Sequence, residues 1–210
     1  MEFYRTVRGF GESRFTEKKS EFIGRVTPCE SWEEAQAFVA RARELDPDAR
    51  HHVSAFINRE GNIQRFDDDG EPKGTGGIPM LEVLKKEEIC GLCVVVTRYF
   101  GGILLGAGGL ARAYARGARD AVAAAGICRF SKVFQVKADI PYPLFSKVEF
   151  ELGARNFRVT GKEFGENVTL SLIVSPEERE ILSTLLSDLS GGKINPKTVG
   201  ETFAEDRENP

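Results

Sequence analysis

The chain has 210 residues, of which 41% are hydrophobic and 29% are charged, and its formal net charge is −3 at pH 7. This composition is typical of a globular protein with one large or two small domains, and no apolar run approaches the roughly 20 residues of a membrane-spanning helix. The first residues lack the apolar segment of a secretion signal and only four cysteines are present, so we expect a cytoplasmic protein without membrane contact.

The charge is divided unevenly along the chain. Residues 1–131 contain 19 basic and 19 acidic side chains, whereas residues 132–210 contain 10 and 13. A net negative charge argues against a surface coated by nucleic acid, but it allows a local basic patch. If a polyanion binds, the neutral first part is the expected host.

The pattern of the first part predicts strands, helices and one long polar loop. Alternating polar and apolar residues predict strands over 3–9 and 14–27, with "GFGES" as the turn between them. Ser31 and Glu34 form a predicted capping box for the first helix, which ends before Pro47. The later predicted elements are strands at 52–58 and 62–66, a loop at 67–77, a helix at 79–88, a buried strand in "LCVVVTRYF" and a helix at 108–125.

The pattern then restarts as a compact second unit. Its predicted elements are strands at 133–140, 156–161, 167–174 and 197–203, and helices at 142–154 and after Ser175. The order β-α-β-β-α-β is that of a ferredoxin-like domain, in which four antiparallel strands lie under two helices. We therefore expect a boundary between Ile127 and Val133, giving domains 1–131 and 132–210.

Arg98 and the polar loop are the first candidate site. An unpaired guanidinium at the end of such an apolar strand is very costly, so Arg98 needs a partner or a ligand. The sequence "DDDGEP" supplies carboxylates, and we predict an ion pair between this loop and Arg98. The pair is either a structural salt bridge or part of a cleft whose two walls are the loop and the glycine-rich segment after Arg98.

Two glycine clusters follow the buried strand. Gly101 and Gly102 permit a sharp turn, and "GAGG" at 106–109 lies at the start of a helix, where free N–H groups and the helix dipole favour an anion. Arg112, Arg116 and Arg119 share the polar side of that helix. The alternative is that the glycines only permit turning and close packing, since their spacing matches neither the dinucleotide fingerprint nor a Walker A loop.

The two histidines and four cysteines do not form a recognisable centre. Adjacent residues in a strand face opposite ways, so His51 and His52 cannot share a metal, and the sequence does not show which one joins the cleft. Cys90 and Cys93 precede a strand and have no second pair at zinc spacing, so we interpret the cysteines as packing residues. We expect no catalytic set, metal or cofactor. The candidate binding residues are His51, His52, Asp68, Asp69, Gly70, Glu71, Gly74, Thr75, Arg98, Tyr99, Gly101, Gly102, Gly106, Gly108, Gly109, Arg112 and Arg116.

Three segments strongly resemble one family. They are "DARHHVSAF", "FDDDGEPKGTGG" and "GGIPMLEVLKKEEICGLCVVVTRYFGGILLG", and the family is the Impact family, including its bacterial YigZ-type members. The resemblance implies an α+β protein with an N-terminal domain of the ribosomal protein S5 domain 2-like fold and a ferredoxin-like C-terminal domain. A similar pair of folds occurs in the translocation elongation factor, and eukaryotic relatives regulate translation during amino-acid starvation.

We therefore expect a cytoplasmic regulator of translation that binds RNA, the ribosome or a translation factor. One alternative is an enzyme acting on a small phosphorylated or carboxylated molecule, in which Asp68, Asp69 and Glu71 supply a base or hold Mg²⁺ and Arg98 binds the anion. Another is a scaffold whose glycine-rich cleft holds a peptide.

Overall fold

The computed structural model describes residues 1–206 and divides into two compact units. One unit contains Met1 and Phe3–Phe130, and the other contains Glu2 and the residues from Ser131 onward. The elements are β1 (Phe3–Val7), β2 (Gly11–Glu17), β3 (Ser20–Pro28), α1 (Trp32–Leu45), β4 (His51–Ile57), β5 (Gln64–Asp67), α2 (Gly77–Lys86), β6 (Leu92–Tyr99), α3 (Ala107–Ala125), β7 (Ile127–Ile140), α4 (Tyr142–Ala154), β8 (Arg158–Phe164), β9 (Val168–Val174), α5 (Pro176–Ser190) and β10 (Lys197–Glu205). No helix within residues 1–206 is long and apolar enough to cross a membrane.

The first unit is built on an antiparallel sheet in the order β2-β3-β6-β4-β5. The central strand β6 is buried on both faces because its alternate side chains enter two different cores. Val94 and Val96 join α2 and α3 in one core, whereas Cys93 and Val95 join α1 in the other. The predicted central strand and the S5 domain 2-like arrangement are confirmed.

The second unit has the β-α-β-β-α-β order that the sequence predicts. Its strands lie in the order β10-β7-β9-β8, with antiparallel pairing of β7 and β8 to β9. Alternate residues of β9 pack with α4 and α5 in one core. The Ser175 hydroxyl accepts from the Glu178 N–H, and the Glu178 carboxylate accepts from the Ser175 N–H, which completes the predicted capping box.

The N-terminal strands differ from the prediction. The segment 14–27 is not one strand, because Lys18 and Lys19 adopt positive φ values of 45° and 65° and reverse the chain between β2 and β3. The turn "GFGES" does not pair its flanking strands either, since β1 pairs with β7, whose first residues belong to the same unit. The hairpin was missed because a Lys-Lys pair lacks the Gly, Asn or Asp that usually indicates such a turn.

Close packing of α3 against β3 depends on Gly24. A Cβ atom on Gly24 would lie 2.3 Å from the carbonyl oxygen of Gly117 in α3. We expect Gly24→Ala to push the helix from the strand and to lower the free energy of unfolding by about 1–3 kcal/mol, the usual cost of overpacking. Urea denaturation measures this change. The control is Gly9→Ala, because Gly9 has open space around it, and equal losses in both variants would contradict the packing argument.

Candidate functional site

A buried ion pair lies where β6 ends. Arg98 Nη1 donates to Glu71 Oε1 at 2.6 Å, and the two side chains are only 5% and 3% exposed. The Tyr114 hydroxyl of α3 donates to the same carboxylate oxygen at 2.7 Å. Burial and the Glu71 carboxylate raise the pKa of Tyr114, so its hydroxyl stays a proton donor. The predicted ion pair between Arg98 and the loop is confirmed.

The rest of the Arg98 guanidinium contacts β3 and the segment that follows β6. Its Nη2 donates to the Ser20 hydroxyl at 3.3 Å, and the Gly101 N–H donates to the same hydroxyl at 3.2 Å. The guanidinium also lies over the rings of Phe22 and Phe100, at 5.5 and 5.4 Å from their centroids. Cations are attracted to aromatic faces, so Arg98 is held on several sides.

The loop 67–77 is organised around the carboxylate of Asp68. This carboxylate accepts N–H groups from Gly74 at 2.6 Å, Gly76 at 3.0 Å and Gly77 at 2.8 Å. Two of these amides belong to the start of α2, so Asp68 also caps that helix. Both oxygens of Asp68 therefore bind the backbone of the chain itself.

Neighbouring loop residues also have structural partners. The Thr75 hydroxyl donates to the Pro72 carbonyl at 2.6 Å. Gly70 and Gly74 have positive φ values of 82° and 78°, which side chains disfavour. These contacts fix the loop as a rigid turn beside the ion pair.

The two histidines occupy opposite faces of the sheet, which settles which of them joins the ion pair. The His51 Nε2 atom lies 3.9 Å from Glu71 Oε1, and its Nδ1 atom lies 2.8 Å from the Asp69 carbonyl oxygen. The His52 ring is buried on the other face, with Nδ1 3.8 Å from Asp69 Oδ2. Burial lowers the pKa of His52, and the Arg43 charge lowers it further, against an opposing effect of Asp69.

Asp69 lies between the histidines and is itself paired. Its carboxylate accepts from Arg43 at 2.6 Å and from the His52 N–H at 2.6 Å. Partial burial acts to raise the pKa of Asp69, but these hydrogen bonds outweigh it and the pKa is lowered. Asp69 is therefore an ionised anchor for β4 and α1.

Tyr99 does not lie with Arg98, although the sequence groups them. Adjacent residues of β6 face opposite sides, and the Tyr99 hydroxyl donates to Asp46 Oδ1 at 3.1 Å. Asp46 also pairs with the buried Arg25, whose Nε donates to Glu12 at 2.7 Å. Sequence reasoning missed this second buried arginine. Its signal was a basic residue within the otherwise apolar run from Phe22 to Val26.

The glycines after β6 serve different purposes. A Cβ on Gly101 would lie 1.9 Å from the Lys19 carbonyl oxygen, so this glycine permits close packing. Gly102 and Gly106 have open space but positive φ values of 80° and 72°, so they permit turning. Gly108 and Gly109 lie in the first turn of α3. Gly109 lines a cavity beside the start of α3.

That cavity is a groove of about 260 Å³ between the β2–β3 hairpin and the start of α3. Its lining includes Phe15, Lys18, Leu105, Gly109, Arg112 and Arg116. Loop 67–77 contributes no lining residue, so the second wall of this groove is the hairpin and not the loop that the sequence suggested. The Arg112 and Arg116 side chains are exposed along it. We call it the hairpin groove.

The described residues hold no preformed metal centre. Within residues 1–206, no group of three or more His, Cys, Asp or Glu side chains is arranged to bind a metal ion. Cys29, Cys90, Cys93 and Cys128 are free thiols. Burial raises the pKa of Cys29 to about 11 and also raises that of Cys93, so neither is an activated nucleophile.

Comparison with known proteins identifies both units. The family model of the Impact N-terminal domain matches residues 18–122, and a domain of unknown function (DUF1949) matches residues 139–193. The chain belongs to the Impact family. The first match includes Glu71, Arg98 and the arginines of α3, so the ion pair and most of the hairpin groove lie in the Impact N-terminal domain.

Individual Impact-family relatives align along most of their length. "IMPACT family member YvyE" of Bacillus subtilis is 37% identical over 96% of this chain and 94% of its own. "IMPACT family member YigZ" of Escherichia coli is 33% identical over 88% and 92%. A crystal structure of a hypothetical protein superposes with a TM-score of 0.62 at 30% identity, covering 95% of this chain and 98% of that chain.

Removal of Glu71 should destabilise the fold. Glu71→Ala leaves Arg98 buried without its carboxylate, and we expect a loss of about 3–5 kcal/mol in the free energy of unfolding. Chemical denaturation measures it. The exposed pair Glu82–Lys85 gives the control, since Glu82→Ala should cost less than about 1 kcal/mol. Similar small losses in both variants would show that the buried pair is dispensable.

Burial of His52 should make stability depend on pH. Its pKa in the folded protein is below the ordinary value of 6.5, so protonation favours the unfolded chain. The buried, neutral His52 therefore makes its full contribution to the free energy of unfolding above pH 6.5. This contribution is lost as the pH falls from there toward the folded-state pKa. We expect the unfolding free energy of the wild type to fall more than that of His52→Gln between about pH 7.5 and about pH 5. Parallel pH profiles for the two proteins would argue against this effect.

Proposed function

We propose that the protein is a cytoplasmic regulator of translation that binds RNA, free or within the ribosome, through the basic side of α3. Impact-family membership is consistent with a role in translation. Likeness of fold to domains of translation factors is only an association. The specific support comes from the local charge of α3 within the N-terminal unit.

The observation that supports this proposal most directly is the concentration of positive charge on α3. Arg112, Arg116 and Arg119 are exposed along one side of this helix, while Asp120 is its single acidic residue. The helix thus carries a net charge of +2 in a protein whose net charge is −3. Contacts to phosphates supply most sequence-independent affinity for nucleic acids, and a basic stripe on one helix is the footprint of such binding.

The enzyme alternative is less well supported by the same geometry. It requires a carboxylate that can act as a base or bind Mg²⁺. Asp68 binds three backbone amides, Asp69 binds Arg43 and an amide, and Glu71 binds Arg98 and Tyr114. Each would have to leave partners inside the protein before it could act on a substrate.

Affinity capture from native lysate, with and without ribonuclease, tests the proposal. We expect RNA or ribosomal particles to be recovered with the tagged protein, and this recovery to disappear after nuclease treatment or at high salt. Arg119→Gln should reduce the recovery, because it removes one charge from the exposed side of α3. Recovery of a translation factor alone, unchanged by nuclease, would replace RNA with a protein partner. Recovery of a small metabolite would favour the enzyme.

A further inference from the structure

We propose that the hairpin groove binds a phosphate group of the RNA backbone without reading the base. This proposal rests on the proposed function and assigns its point of contact. The groove lies beside the start of α3, so the exposed Arg119 continues the same basic side one turn further along the helix.

Positive charge converges on the groove from two elements. Lys18 approaches from the hairpin, and Arg112 and Arg116 approach from α3, against one acidic lining residue, Glu17. Arg116 also pairs with Asp120 at 3.2 Å, so its charge is partly shared. Excess positive charge in a concave site raises the local concentration of anions.

Arg112 is folded back over the first turn of α3. Its Nη1 atom lies 3.8 Å from the position that a Cβ on Gly108 would occupy. The first amides of a helix have no acceptor within the helix, and the N-cap residue of α3, Gly106, has no side chain that could cap them. A phosphate oxygen in the groove could therefore accept from Arg112 and lie near the positive end of the helix dipole.

The size of the groove favours one group of a longer polymer. Sites for whole small molecules usually measure about 300–1,000 Å³, whereas this groove has about 260 Å³. A phosphodiester with part of its sugar fits this volume better than a complete nucleotide cofactor. The rest of the strand would lie outside, along the side of α3.

The aromatic ring in the groove is not available for stacking on a base. One face of Phe15 stacks on Phe22 at 5.1 Å between centroids, and the Arg116 guanidinium lies 4.2 Å from the Phe15 centroid. Single-stranded nucleic acids are often held by bases stacked on free aromatic faces. Because Phe15 already has these two partners, we infer recognition of the phosphate alone.

The hairpin turn places lysines where other residues would fit more easily. Lys18 and Lys19 have positive φ values of 45° and 65°, and two-residue turns of this kind usually contain Asn or Gly. Such conformations are costly for residues with long side chains and often occur at functional positions. A role for Lys18 as a cation beside the groove would explain why a lysine occupies this unfavourable conformation.

The test is fluorescence anisotropy of labelled single-stranded oligouridine and oligocytidine, titrated with the full chain at several salt concentrations. Lys18→Asn keeps a residue suited to the turn, and Arg112→Gln keeps a long polar side chain. We expect either variant to lower the magnitude of the slope of log affinity against log salt by about 0.7, the value for one lost phosphate contact on a single strand. The change in slope should be the same for oligouridine and oligocytidine.

Arg14→Gln is the matched control. Arg14 is exposed on β2 but faces away from α3, and its loss changes the net charge by the same amount. If the wild type binds and all three variants show equal slopes, the proposal of phosphate binding in the hairpin groove would be wrong. The proposal of RNA binding would still stand. Absence of wild-type binding even at low salt would overturn both proposals. A strong preference for one oligonucleotide would overturn recognition of the phosphate alone.

Discussion

The buried pair of Arg98 and Glu71 is the interaction on which the N-terminal unit depends. It joins the end of β6 to the loop 67–77, and Tyr114 and Ser20 extend it to α3 and β3. A buried ion pair adds little net stability compared with apolar residues of the same shape, but its loss from one side is costly. The main effect of the pair is therefore to specify one fold and not to add stability. Four segments that are distant in sequence meet at these hydrogen bonds, which favour one arrangement of the segments over others.

The central sheet keeps two polar networks apart by strand alternation. Arg98 and Tyr99 are adjacent in β6, yet one meets Glu71 beside α3 and the other meets Asp46 beside α1. His51 and His52 divide in the same way. A one-residue change of register would exchange the faces of every side chain in the strand and would leave these charges among apolar groups. The networks thus help to fix the register of an otherwise apolar strand.

Much of this architecture could be predicted from the sequence, where a residue has a strong local preference or would be costly to bury without a partner. Ser175 predicted the start of a helix. The isolated charge of Arg98 predicted a carboxylate partner, which loop 67–77 supplies. The sequence did not show that Asp68 folds the loop around its own carboxylate, because a turn of this kind has no fixed spacing. The hairpin at Lys18 was hidden because its turn residues are atypical. Gly101 was ambiguous because only the folded chain brings the Lys19 carbonyl against it.

The ion pair and the hairpin groove are mechanically connected through Ser20. This residue follows the hairpin turn directly, and its hydroxyl accepts from both Arg98 and the Gly101 N–H. Gly101 in turn packs against the Lys19 carbonyl, at a distance that admits no side chain. The buried cluster thereby holds the base of the turn that presents Lys18 to the groove. Glu71 does not line the groove, but it contacts the base of the hairpin through Arg98 and Ser20. Loop 67–77 thus supports the proposed binding surface from inside the fold.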